Sequence, residues 1–133
     1  MTITMQSIED FLPRDRLIAQ HRLSGVEETP MTQGLSEQRH AATELVREGY
    51  LLHYGKSRYY KIDDPDLALL AGDRMYAAGL ERLADHGDVE AVAVLAELIA
   101  GCAEAHGSGL GERSEVLWRR ALAILARDSA FSS

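Results

Sequence analysis

The sequence predicts an all-α protein, a helical bundle of four or five helices around a long antiparallel helix hairpin. Three observations lead there. Apolar residues recur at helical spacing through most of the chain beyond residue 36. Asp64-Pro65-Asp66 and Gly87-Asp88 carry the start and stop chemistry of two long helices joined by a turn of one or two residues. A chain of 133 residues, 46% hydrophobic and 26% charged, has the size and composition of one globular domain.

Residues 1–35 read as an N-terminal arm with short helices. Ser7 and Asp10 form a variant of the capping box, and Pro13 suits the first turn of a helix that reaches Leu23. Residues 24–34 contain Gly, Pro and Thr without periodicity and read as loop. Ser36 is the N-cap residue for a helix over residues 36–54. Ala41, Ala42, Leu45 and Val46 share one face of it, while Glu37, Arg39, Thr43, Glu44 and Arg47 fall largely on others. The aromatics of residues 50–62 favour a strand, with a hairpin turn at Gly55-Lys56-Ser57; the alternative is a helix to Tyr54 followed by loop. The second reading is preferred, because an isolated two-stranded hairpin is marginal.

Residues 64–107 form the hairpin. Asp64 caps its first helix, Pro65 takes the first position, and Gly87 is the left-handed residue that ends it. Asp88 caps the second helix at once. That helix is apolar nearly all round, which predicts burial on several sides. Its polar residues Glu90, Glu97 and Glu104 are seven apart and so form one narrow stripe. Gly107-Ser108-Gly109 breaks the chain before a C-terminal helix over residues 110–127. Val116, Leu117, Ala121, Leu122, Ile124 and Leu125 make its inner face, and Trp118 anchors an edge. Arg113, Arg119, Arg120 and Arg127 lie on or near water.

The formal net charge of -7 argues against broad binding to nucleic acid or to anionic membranes. The single cysteine, Cys102, lies in an apolar run and reads as a buried reduced thiol, with no disulfide and no cysteine metal motif. The first residues lack a basic stretch followed by an apolar one, and no run reaches the roughly 18 apolar residues of a membrane span. A cytoplasmic protein is expected. No nucleophile elbow and no phosphate-binding glycine loop occurs, so no cofactor is expected.

Residues 67–84, LALLAGDRMYAAGLERLA, and the following VAVLAELIAGCAEAHGSG resemble the middle helices of polyprenyl diphosphate synthases. In that family an Ala-Gly-Asp step opens one long helix and a second apolar helix follows; Gly72-Asp73 is the sharpest element of the resemblance. The family's two DDxxD motifs, which hold magnesium and the allylic diphosphate, are missing. Asp63-Asp64-Pro65-Asp66 has their composition without their spacing. The resemblance implies a relative or look-alike that keeps scaffold helices and lacks the chemistry. It also implies a dimer, since the two helices supply the dimer interface in the family.

The candidate sites follow. Glu37 and His40 have the spacing of a carboxylate–histidine metal-ligand pair on a helix, to which Glu97 or Glu104 could add a ligand; the second such pair that a full site needs is missing from one chain, so no metal is expected. Gly72 and Gly79 let another helix approach, with Met75, Tyr76 and Leu83 around them, and Val92, Leu95, Ala96, Ile99 and Ala103 offer apolar surface on the next helix. These residues predict a homodimer through the hairpin. The functional expectation is therefore a non-catalytic oligomeric subunit, structural or binding, with its ligand unknown. One alternative is a winged-helix-like DNA-binding regulator using residues 36–62, with Lys56, Arg58 and Lys61 on the wing. A second is an enzyme or metal-binding bundle of another type.

Overall fold

A computed structural model describes residues 34–129, with side chains through residue 127. The described residues form four α-helices: α1 (Glu37–Tyr54), α2 (Pro65–Asp85), α3 (Val89–Gly107) and α4 (Ser114–Ser129). A 3-10 turn, Gly111–Arg113, leads into α4, and there is no strand among the described residues. The fold is an all-α helical bundle. The short helices expected before residue 34 lie outside the described residues.

The helix ends follow from side chains and glycines that satisfy orphan backbone groups. Ser36 takes the N-cap position of α1 without a side-chain cap bond. The Asp64 carboxylate accepts from the backbone N–H groups of Asp66 and Leu67, and Pro65 opens α2. The α2–α3 turn is a Schellman motif. Gly87 sits at φ 74°, its N–H donates to Ala84, and the N–H of Asp88 donates to Leu83. The same motif ends α3 at Gly109, φ 75°, with Leu110 donating to Ala105. Helix α1 runs through Gly49 to Tyr54 and gives way to irregular chain.

The tightest helix pair is α1 against α2. A Cβ on Gly49 would lie 2.8 Å from the carbonyl oxygen of Gly72, and one on Gly72 would lie 2.9 Å from that of Gly49. One on Gly79 would lie 2.8 Å from the carbonyl of Ala42. The two backbones therefore touch along a seam of small residues seven apart. Helix α1 is buried over the largest share of its length, with twelve of its residues buried.

Helix α3 differs from its expected all-round burial. Ala91, Leu95, Leu98, Cys102 and Ala105 form its one buried stripe. Val89 is 74% exposed, and Ala93, Ala96, Ala100 and Ala103 face outward. Alanine has too little surface to force burial, so an Ala-rich helix reads as more apolar than it behaves. Val116, placed by its spacing on the inner face of α4, is likewise exposed, whereas Trp118 is 1% exposed in the core. No helix is long and apolar enough to cross a membrane among the described residues.

Candidate functional site

The polar chemistry of the described body gathers on α1. Glu44 and Glu48 are one turn apart and both fully buried. Arg58 closes over them, its Nε donating to Glu48 and an Nη to Glu44. Ser57 Oγ donates to Glu48 at 2.7 Å and accepts from the backbone of Tyr59 and Tyr60. Burial opposes the Arg58 charge, but the two carboxylates outweigh it and hold the guanidinium pKa above its ordinary value. The chain after α1 is thus clamped onto it by ions and hydrogen bonds.

A second constellation joins three helices. Arg39, 5% exposed in its side chain, makes a fork onto Asp88 at 2.7 and 2.9 Å. Its remaining Nη donates to the carbonyl of Leu125 in the last turns of α4 at 3.1 Å. Asp88 also caps α3 by accepting from Ala91 at 3.2 Å. The Arg39 hydrogen bonds, supported by the Ala91 bond, outweigh desolvation and lower the Asp88 pKa.

The third is an aromatic cluster where α1, α2, α3 and α4 meet. Tyr50 Oη lies 2.9 Å from His106 Nε2, and the Tyr54 and His106 rings stack with centroids 4.0 Å apart. His53 Nε2 lies 3.0 Å from the Leu69 carbonyl and 3.2 Å from Asp73. The Arg47 guanidinium covers the Trp118 ring. Burial pushes up the pKa of Tyr54, of Tyr76 and of the Cys102 thiol, so all three hold their protons at neutral pH. A thiol in that state is a poor nucleophile.

The structure separates the candidate metal ligands. Glu37 is exposed and His40 buried at the start of α1, while Glu97 and Glu104 stand on the outer side of α3. No group of three or more His, Cys, Asp or Glu side chains that could hold a metal occurs among the described residues. On the proposed wing, Lys56 and Lys61 are exposed, but Arg58 is committed to the two buried glutamates.

The predicted interface residues also divide. Gly72, Met75, Tyr76, Gly79 and Leu83 are all buried within the chain. The helix that uses the close approach at Gly72 and Gly79 is α1, so this face is closed to a second copy. Leu95 is fully buried, Val92 and Ile99 pack partly against the core, and Ala96 and Ala103 are exposed.

What the sequence did not single out is a groove between α3 and α4. Val94, Leu98, Leu117, Ala121 and Ile124 line one half, bordered by Glu97 and Arg120. Gly101, Ala105, Leu110 and Leu117 line the other, bordered by Glu104 and Arg113. A Cβ on Gly101 would lie 3.2 Å from Leu117, so the glycine admits that side chain into the floor. The spacing of the arginines along the C-terminal helix was the signal that could have found it.

No family model matches the chain, and neither the curated proteins nor the solved structures contain a significant match.

Proposed function

We propose that the chain is a non-catalytic helical subunit, structural or binding, that works as an oligomer. In this reading it keeps the middle helices of a polyprenyl-diphosphate-synthase-like scaffold without the aspartate-rich motifs that would hold magnesium. The observation that carries the proposal is the apolar groove of α3 and α4, open along one side of the bundle among the described residues. An open apolar groove of this kind is what a partner surface covers. The structural commitment of several buried or capping acid–base groups among the described residues supports a non-catalytic reading. Asp64 caps a helix, Glu44 and Glu48 clamp Arg58, Asp88 holds Arg39, and Tyr50 meets His106.

Two measurements on the purified chain test the reading. Incubation with isopentenyl and allylic diphosphates plus magnesium gives no longer prenyl product; turnover lost on Asp64→Ala would restore the family's chemistry. Light scattering at micromolar concentration gives a multiple of the 14.7 kDa chain mass. A monomer would overturn the oligomeric part.

A further inference from the structure

The two edges of the α3–α4 groove carry opposite charge in one register. Glu90, Glu97 and Glu104 stand seven apart on α3; Arg113, Arg120 and Arg127 stand seven apart from the 3-10 turn into α4. Seven residues advance a helix by about 10.5 Å and return almost to the same side, so the glutamates form a line on α3 and Arg120 and Arg127 one on α4, with Arg113 bordering the groove from the 3-10 turn. The groove matches the lines across the antiparallel helix pair, Glu97 with Arg120 and Glu104 with Arg113. These four side chains are exposed, and none of them forms an ion pair among the described residues. Between the lines the floor is apolar.

We propose that the groove is a homodimer interface and that its occupant is the same groove of a second copy. The proposal rests on the oligomeric reading above and specifies its surface. A twofold axis along the groove turns one copy over onto the other and exchanges the edges. The acidic line of each α3 then faces the basic line of the partner's α4 along the whole contact. The four helices form a bundle whose core is the two apolar floors. A twofold axis set across the groove would place acid on acid and base on base, so the charge pattern selects one of the two symmetric arrangements. The complementarity is built into one chain: a surface with one acidic and one basic edge matches its own copy. A foreign helix would need both lines supplied in the same register. The apolar floor supplies affinity, because exposed rim pairs add little. The rims set orientation, because like charges forced together cost far more than the correct pairs gain.

The test is a charge-swap series read by sedimentation equilibrium, with circular dichroism to verify unchanged helix content. Wild type sediments as a dimer. The variant Glu97→Arg with Glu104→Arg makes both edges basic, and Arg113→Glu with Arg120→Glu makes both acidic. Each alone dimerises at least tenfold more weakly than wild type. Mixed in equal amounts, the two variants form a heterodimer and recover most of the lost affinity, and a chain carrying all four changes forms a homodimer again. Recovery on mixing is a readout that loss of folding cannot produce. A wild-type dimer unaffected by either variant would overturn this interface and leave the oligomeric reading standing. So would weakening by both variants without recovery on mixing. A monomeric wild type would overturn both.

Discussion

Asp88 shows how one carboxylate does two structural jobs, capping α3 and neutralising a buried guanidinium. Its pKa is lowered in the folded protein, chiefly by the Arg39 hydrogen bonds. A lowered carboxyl pKa contributes stability that is present above the unfolded value and lost as pH falls through the folded one. The difference in stability between wild type and Asp88→Asn is therefore largest at neutral pH and shrinks below about pH 4, the ordinary carboxyl range. Urea unfolding followed by circular dichroism at neutral and acid pH measures it; a difference independent of pH would show that the charge is not what Asp88 contributes. Asn is chosen because it caps a helix about as well as Asp, which isolates the ion pair. The cap at Asp88 was legible from Gly-Asp alone. The Arg39 partner was not, because it lies 49 residues away and sequence spacing sees only near neighbours.

At the scale of the element, α1 is where reading from sequence departs furthest from the fold. Its mixed composition suggested a half-solvated helix, with Arg39, Thr43 and Glu44 on outer faces. All three are buried, and so is Glu48. Helical periodicity sorts residues by their own polarity, and it cannot anticipate that Arg58, on the following irregular chain, will neutralise two carboxylates. Arg58→Ala strips the counter-charge from both, and breaking a buried ion pair from one side costs about 3–5 kcal/mol. Apolar replacement of Arg58, Glu44 and Glu48 together recovers most of that loss in equilibrium unfolding; no recovery would mean that packing, not charge, is the cause. The α1–α2 seam gives a second test. Gly72 and Gly79, read from the sequence as the face of a dimer, lie against α1 of the same chain. Because the Cβ at residue 79 would meet the fixed carbonyl of Ala42, Gly79→Ala destabilises the fold by about 1–3 kcal/mol. The shift in unfolding midpoint is the measurement. An unchanged oligomeric mass separates this account from one in which Gly79 faces a second copy.

For the molecule as a whole, the all-α class followed from caps and periodicity, whereas the deep burial of α1 did not. The α2–α3 hairpin holds much of the apolar sequence, while α1 is buried over the largest share of its length. The Glu90, Glu97 and Glu104 stripe was visible as a line on one helix; that Arg120 and Arg113 answer Glu97 and Glu104 across a groove needed the packing of α3 against α4. Arg39 has a consequence at this scale too. Through one side chain the first turn of α1 is bonded to the α2–α3 turn and to the carbonyl of Leu125 near the end of α4. The outermost turns of a helical body normally open one by one, each at small cost. Here the opening of α1 or of α4 breaks the bond that Arg39 makes to the Leu125 carbonyl, so hydrogen exchange is expected to show the backbone amides at that corner opening together, in a single concerted step.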